Sequence, residues 1–240
     1  MYFYLFLAIA SLNAQVTSQS KNSPISVLSS IKSVDIKDSN EIITFDPLWV
    51  DSLSLSLPCY GVPVPKRTMR LPNAPRNYRN GTHRGLDFFA NWGTPVRSVA
   101  EGVVVRSDLH YEEVPADFRE NLLKATTKVG HTPSDIFNSV LLGKSVFLDH
   151  GFDLIPGFRT ISIYAHLSHI EKEIVPGAIV KRGELLGKSG NTGMRESTIG
   201  SKAGSHLHWE MILQKGEQEI YLGKGMSNPE LYDMLYRIFN

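Results

Sequence analysis

Two histidines, His206 and His208, stand on either side of a single leucine late in the sequence. In a β-strand, residues two apart point to the same side, so both imidazoles would face one place while Leu207 faces the core. Neutral imidazole is the commonest metal ligand in proteins. Histidine pairs also occur on ordinary protein surfaces, so a metal site requires further ligands.

His83 and Asp87 can supply those ligands. A separation of four places both side chains on one face of either a helix or a strand, and Gly85 with the phenylalanines after Asp87 favours a strand. Two histidines and one carboxylate, with water in the fourth position, are the ligands expected of a catalytic rather than a structural zinc ion. The alternative for this pair alone is a surface histidine and a loop aspartate.

A third candidate, His166, ends the alternating segment Thr160-Ile-Ser-Ile-Tyr-Ala-His166. The alternation predicts a half-buried strand, with the isoleucines and Ala165 on one face and with Tyr164 and His166 on the polar face. Tyr164 would then orient His166, touch substrate, or form an aromatic rim.

Short β-type segments surround these residues, at positions 85–89, 95–105, 145–149, 160–167 and 205–213, and glycine-containing turns separate them. They predict a mostly antiparallel β domain. Between Asp108 and Gly143, apolar residues at helical spacing and a Thr132-Pro133 helix start predict two inserted helices. Because this insertion joins two strands, we expect it to form one wall or lid of a groove.

The composition fits one catalytic domain with an appendage. The chain has 240 residues, of which 42% are hydrophobic and 20% charged, with a formal net charge of +1. This balance provides no global field that would attract nucleic acid or an anionic membrane. Cys59 is the single cysteine, so no intramolecular disulfide can form.

The N-terminal sequence predicts export. The apolar run from Tyr2 to Ala10 is too short to span a bilayer and has the length of a signal-peptide core, although no Lys or Arg precedes it. We expect a signal peptide at residues 1–14, and the alternative is a buried N-terminal helix or strand. A linker or arm at 15–60, a peptidase domain at 61–228 and a C-terminal helical tail at 229–240 complete the expected organisation.

Four motifs in this sequence resemble those of a known family: His83-Arg-Gly-Leu-Asp87, Tyr164-Ala-His-Leu167, Gly190-Asn-Thr-Gly193 and His206-Leu-His-Trp-Glu210. In order and approximate spacing they are similar to the M23 peptidases, the lysostaphin and LytM-like cell-wall endopeptidases. The resemblance implies an antiparallel LytM-like domain of the duplicated-hybrid-motif type with zinc at the floor of a groove. One Zn2+ per chain would be held by His83, Asp87 and His208.

The resemblance also implies a reaction, in which a zinc-bound water attacks peptide cross-links of peptidoglycan outside the cytoplasm. His206 and His166 would flank that water, His206 as the base and His166 as the donor to the oxyanion, although these roles could be exchanged. Glu210 shares the strand face of the histidine pair and would be either a partner of a ligand or a surface residue.

Two other functions remain open from the sequence. A non-catalytic LytM-like module could bind and activate another cell-wall hydrolase, although such modules lose site residues that this chain keeps. The turns between Val175 and Gly187 are also similar to those of lipoyl or biotinyl carrier domains, but the lysine motif of those domains is missing. A regulatory protein partner is possible in either case, and the sequence does not tell whether D-Ala–diaminopimelate links or glycine bridges are cut.

Overall fold

The computed structural model describes residues 43–239. Its strands are β1 Pro75–Arg76, β2 Gly81–Thr82, β3 Leu86–Phe88, β4 Pro95–Arg97, β5 Gly102–Ser107, β6 Val146–Asp149, β7 Arg159–Ala165, β8 Leu167–Ile170, β9 Ile179–Val180, β10 Leu185–Ser189, β11 Leu207–Lys215 and β12 Gln218–Tyr221. Its α-helices are α1 Ala116–Val129, α2 Ser134–Ile136, α3 Arg195–Thr198 and α4 Glu230–Ile238, and α2 continues into a π-helical turn at Phe137–Leu141. Short 3-10 helices lie at Pro47–Val50, Thr68–Arg70 and Asn77–Arg79.

The strands pair antiparallel throughout the described residues. The large sheet has the order β12-β11-β7-β6-β5-β9, and β3 pairs with the part of β11 that β12 leaves free. A smaller sheet has the order β4-β10-β8. Between β5 and β6 the chain forms α1 and α2, so the predicted mostly antiparallel β fold and its helical insertion are confirmed.

The large sheet is covered on both faces. One face carries the main core, in which Trp209 of β11 and Tyr164 of β7 are fully buried. On the other face, Phe137 and Leu141 of the insertion pack against Ile163 and Ile212. Burying each such side chain contributes about 1.5–3 kcal/mol relative to leaving it exposed. The insertion is therefore part of the packed structure of this domain.

The faces predicted for β7 are wrong. Tyr164 pairs directly with Trp209 in the main core, whereas Ala165 pairs with His208. Directly paired residues share a face of the sheet. The apolar side of β7 therefore faces the candidate site, and its small hydroxyl residues and Tyr164 face the core. An apolar pattern indicates that a face is covered but does not indicate which element covers it. Here the insertion covers the apolar face of β7.

The predicted domain boundaries also differ from the observed packing. Phe45, Val50 and Leu55 belong to the same core as the large sheet, and so do Leu235 and Ile238 of α4. The amide of Leu55 donates to the carbonyl of Ile238 at 2.7 Å. The compact unit therefore includes residues assigned to an arm and a tail, and within the described residues it extends over 43–239.

The predicted signal peptide and most of the predicted linker lie outside the described residues. Within residues 43–239, no helix combines the length and the apolar character that crossing a membrane requires.

Candidate metal centre and active site

Strand pairing brings the candidate ligands together. In the antiparallel pair of β3 and β11, Asp87 lies directly opposite His208, although 121 residues separate them. His83 precedes β3 in the chain and is held by its backbone, whose amide donates to the Ala74 carbonyl at 2.8 Å. All three side chains are buried. The sheet therefore assembles one cluster from two distant parts of the chain.

Three potential donor atoms meet at the centre of this cluster. His83 Nε2 lies 2.9 Å from Asp87 Oδ1 and 3.0 Å from His208 Nδ1, and the His208 Nδ1 to Asp87 Oδ1 distance is 2.8 Å. One carboxylate oxygen and two imidazole nitrogens are a donor set typical of catalytic zinc. The residues predicted as ligands are thus adjacent in space.

The outer hydrogen bonds fix which atoms face inward. His83 Nδ1 donates to the Leu71 carbonyl at 2.8 Å, and His208 Nε2 donates to Glu210 Oε1 at 2.8 Å. When both rings are neutral, as metal ligation requires, each carries its one N–H on the outer nitrogen, so the lone pairs of His83 Nε2 and His208 Nδ1 point at each other and at Asp87. Three electron-pair donors this close repel one another unless a cation lies between them. The residues present therefore fit a bound metal ion.

The charges around the cluster favour the same conclusion. Burial alone would raise the pKa of Asp87, but the His83 and His206 imidazoles hold that pKa well below its ordinary value. Burial would lower the pKa of His208, yet its hydrogen bonds to Asp87 and Glu210 raise it to about 9. Both shifts show that the Asp87 carboxylate faces a positive charge: without a metal that charge is a proton on His208, which a bound cation would displace.

Glu210 is fully buried, so the surface role considered for it is wrong. Its Oε1 accepts from His208, and its Oε2 lies 3.0 Å from Nη2 of Arg84. Burial would raise the pKa of Glu210, but the His208 hydrogen bond and the charge of Arg84 keep it below its ordinary value. An ionised carboxylate that holds the far nitrogen of a candidate ligand fixes the tautomer and direction of that ligand.

We therefore expect Glu210→Gln to weaken zinc binding by about 10- to 100-fold, because the neutral amide orients and polarises His208 less well. Competition with a zinc indicator measures the affinity. Glu171→Gln is the matched control, since Glu171 also faces a histidine, the exposed His169, at 3.7 Å and away from the cluster. Equal zinc affinity in Glu210→Gln and the parent would show that Glu210 does not support the site.

The rings of His206 and His166 lie beside the cluster. His206 Nδ1 donates to the Gly204 carbonyl at 2.7 Å, and its Nε2 lies 3.5 Å from Asp87 Oδ1. His166 Nδ1 donates to the Thr192 carbonyl at 2.8 Å, and its ring centroid is 4.9 Å from that of His206. Each neutral ring therefore keeps an Nε2 lone pair, which can accept a proton.

The backbone of His166 is left-handed, with φ of 60°, immediately after β7 ends. Strict alternation would place this imidazole beside Tyr164, toward the main core. The turn at His166 instead lets the ring approach His206 and His208. Burial and the two neighbouring imidazoles lower the pKa of His166 well below its ordinary value. In the absence of a cation or substrate this ring is therefore neutral at pH 7.

Tyr164 does not reach the site. Its side chain is fully buried in the main core, and its hydroxyl accepts from the Val99 amide at 2.9 Å. The roles considered for Tyr164, as substrate contact, His166 partner or rim aromatic, are therefore wrong. Alternation along β7 suggested a shared face with His166, and the left-handed turn between the two residues breaks that alternation.

The Gly190-Asn-Thr-Gly193 motif supports His166. Thr192 supplies the carbonyl that accepts from the imidazole, and Gly193 has φ of 77°. A Cβ on Gly193 would come within 2.7 Å of the carbonyls of Val140 and Leu141, so only glycine fits against the insertion here. This turn therefore contacts both His166 and the insertion.

A cavity of about 210 Å³ opens over the cluster. Its walls include the five candidate residues and three arginines, Arg76, Arg79 and Arg119. Arg119 belongs to α1, and Phe137, Leu141 and Leu142 of the insertion line the same cavity, which is the position expected of one wall. These arginines were not identified from the sequence, because none of them belongs to one of the motifs described above. Arg76 contacts Asp87 Oδ2 at 3.0 Å.

The remaining histidines lie apart from the cluster. His110, His131 and His169 are exposed, and His150 is buried between the Glu101 carbonyl and the hydroxyl of Ser162. None of the four lines the cavity.

Comparison with known proteins finds a family match over part of the chain. Residues 125–220 match the model of peptidase family M23, which confirms the resemblance found from the motifs. The matched range contains His166, His206 and His208. His83 and Asp87 precede it, and the pairing of β3 with β11 connects them to it.

Relatives are distant. A protein named as an uncharacterized metalloprotease from Buchnera aphidicola subsp. Baizongia pistaciae (strain Bp) is 26% identical over 141 residues, which are 59% of this chain and 26% of that protein. The chain thus aligns with about a quarter of that relative. The catalytic domain of lysostaphin from Staphylococcus simulans is 20% identical, with 71% of this chain and 87% of that one covered and a TM-score of 0.37. LytU, a solved structure, is 21% identical over 64% of this chain and 74% of its own, with a TM-score of 0.38. The fold assignment rests on the strand pairing described above and not on these superpositions.

Proposed function

Since the chain carries a region of peptidase family M23, we propose that it is a zinc-dependent endopeptidase that hydrolyses the peptide cross-links of bacterial peptidoglycan. One observation carries the proposal: three inward-facing donor atoms lie within 3.0 Å of one another, and the imidazoles of His206 and His166 lie beside them in the same cavity. Its place of action would be outside the cytoplasm, where the cell wall is.

His83, Asp87 and His208 would hold the zinc ion. When bound, zinc supplies a Lewis acid that polarises a carbonyl and lowers the pKa of water. Arg76 holds the second oxygen of Asp87, so one oxygen remains directed at the centre. Leu71 and Glu210 hold the outer nitrogens of the two histidines, and this prepares their inner nitrogens for ligation.

His206 would be the general base. The carbonyl of Gly204 fixes its tautomer, so Nε2 can accept a proton from the attacking water and return it to the leaving amine. His166 has the same tautomer, held by Thr192, and becomes a donor to an oxyanion only after it gains a proton. Both rings can accept a proton, so the geometry is compatible with an exchange of the two roles.

Digestion of defined muropeptide dimers tests the proposal. The purified chain is incubated with D-Ala–diaminopimelate dimers and with glycine-bridged dimers, and products are identified by mass spectrometry. We expect monomers from at least one dimer, no monomers after chelation, and recovery when zinc is restored. Intact dimers in the presence of stoichiometric zinc would contradict a peptidase and would favour a non-catalytic wall-binding module.

A further inference from the structure

The cavity over the metal centre is positively charged. Arg76, Arg79 and Arg119 line it, and Asp87 is the single carboxylate among its lining residues. Arg76 is paired with Asp87. Arg79 and Arg119 are only 7% and 8% exposed, and neither forms an ion pair with a carboxylate in residues 43–239. Buried charges in proteins are normally paired, so two such arginines indicate an anion that comes from outside the chain.

Arg119 is held in place by one nitrogen and leaves the others free. Its Nε donates to the Gly193 carbonyl at 3.0 Å, and its two terminal nitrogens hydrogen-bond to no described residue. Glu113, which also contacts the Gly193 turn, is engaged with other groups, because it accepts from the Gly193 amide at 2.9 Å and from the Tyr111 hydroxyl at 3.0 Å. The two terminal nitrogens of Arg119 are also not among the fully buried polar atoms that lack a hydrogen bond. They are therefore available to a ligand in the cavity.

Arg79 adds a second positive charge. Its guanidinium lies 4.7 Å from the centroid of the Phe137 ring, and its Nη2 donates to the Thr82 carbonyl at 2.6 Å. Burial lowers the pKa of Arg79, but arginine stays protonated in proteins. A planar guanidinium matches the geometry of a carboxylate and binds it through two parallel hydrogen bonds.

The location of Arg119 relates this anion to the reaction. Gly193, which holds Arg119, directly follows Thr192, whose carbonyl accepts from His166. An anion at Arg119 would therefore lie beside one of the two proposed catalytic imidazoles. In a D-Ala–diaminopimelate cross-link, the carbon attached to the scissile nitrogen carries a free carboxylate. Inside a glycine bridge the corresponding carbonyl belongs to the next amide, so no such charge exists.

We propose that Arg119, with Arg79 nearby, binds a free carboxylate on the carbon attached to the scissile nitrogen, so that the chain selects D-Ala–diaminopimelate links over glycine bridges. The inference rests on the proposed function and names the substrate class of the same site. A stem pentapeptide that ends in D-alanyl-D-alanine carries the same carboxylate without a cross-link. Both molecules therefore present the chemistry that Arg119 recognises.

The test is a binding comparison with two D-Ala–diaminopimelate dimers that differ only at this carbon, one with the carboxylate and one with a carboxamide. Calorimetry on His206→Ala protein prevents turnover during the measurement. Carboxylate binding by a buried guanidinium predicts about 10- to 100-fold tighter binding of the free acid. Adding Arg119→Gln should reduce that ratio to near one, and Arg119→Lys should retain part of it. A purely structural role of Arg119 would weaken both dimers alike and leave the ratio unchanged.

Arg195→Gln is the matched control, because Arg195 lies two residues beyond Gly193, is 65% exposed and pairs with Glu120 outside the cavity. It should leave the ratio intact. Repeating the measurement with the pentapeptide acid and amide identifies which source of carboxylate binds more tightly, and an Arg119-dependent preference in either supports the proposal. Equal affinity for acid and amide, or a ratio that survives Arg119→Gln, overturns it. Cleavage of both dimers at equal rates by the parent removes only this inference, whereas no cleavage of any dimer removes the proposed function itself.

Discussion

A His206→Ala variant should bind one zinc ion per chain and cleave muropeptide dimers at least about a hundredfold more slowly than the parent. Loss of a general base or of an oxyanion donor has effects of this size. The imidazole of His206 faces the cluster but is not among its three close donor atoms, so zinc should remain bound. His166→Ala is expected to behave similarly, since the His166 ring lines the same cavity, with its centroid 4.9 Å from that of His206. Metal content and initial rates on the same preparations measure both quantities.

His169→Ala provides the control for histidine removal, because His169 is exposed, lies in β8 and is outside the cavity. It should match the parent in rate and in zinc content. If His206→Ala loses zinc while His208→Ala keeps it, the division of labour between these two histidines is reversed. If His206→Ala, His166→Ala and His208→Ala all cleave like the parent, the peptidase proposal fails.

An Asp87→Ala variant should lose both stoichiometric zinc and measurable cleavage, and His208→Ala should do the same. Two protein ligands hold zinc poorly, and the bound metal supplies the chemistry of the reaction. Removing Asp87 also leaves the guanidinium of Arg76 without its carboxylate partner in a largely buried position, which destabilises the domain. We therefore expect a lower melting temperature but a retained β-sheet circular dichroism spectrum. Atomic absorption on folded protein measures the zinc content.

Asp149→Asn is the comparison for this variant, since Asp149 also pairs with an arginine, Arg159, on the same large sheet. It should lose some stability and keep its zinc. Full zinc occupancy in folded Asp87→Ala would remove Asp87 from the metal centre.

Local patterns in the sequence predicted much of this architecture. Alternation identified β7, glycine turns separated the strands, and apolar spacing placed helices between Asp108 and Gly143. The candidate residues were found because His83 and Asp87, like His206 and His208, are close in sequence, and the resemblance to the M23 peptidases implied which of them bind zinc. The relative placement of residues so close in sequence follows from local backbone geometry, so short-range rules are sufficient to identify such pairs.

Residues whose roles depend on long-range packing were missed. Arg119 reaches the cavity because α1 docks against the Gly193 turn, 74 positions further along the chain. Leu55 and Ile238 share a core although one was assigned to an arm and the other to a tail. Neither the contact of Arg119 with Gly193 nor that of Leu55 with Ile238 can be recognised from the residue pattern of the segments involved. Alternation placed His166 on the face of Tyr164, and this was wrong because the alternation ends at a left-handed residue; the place of His166 beside the site was implied by the family resemblance.

The left-handed backbone at His166 means that folding and activity favour different residues at this position. A non-glycine residue held in a sparsely populated conformation costs on the order of 1–3 kcal/mol, and glycine would adopt this φ without penalty. A glycine here would relax the turn after β7 and remove an imidazole from the centre. Selection for thermal stability alone should therefore replace histidine at position 166, whereas selection for cell-wall hydrolysis should retain it. Stabilised versions of this domain should be sought by substitution elsewhere.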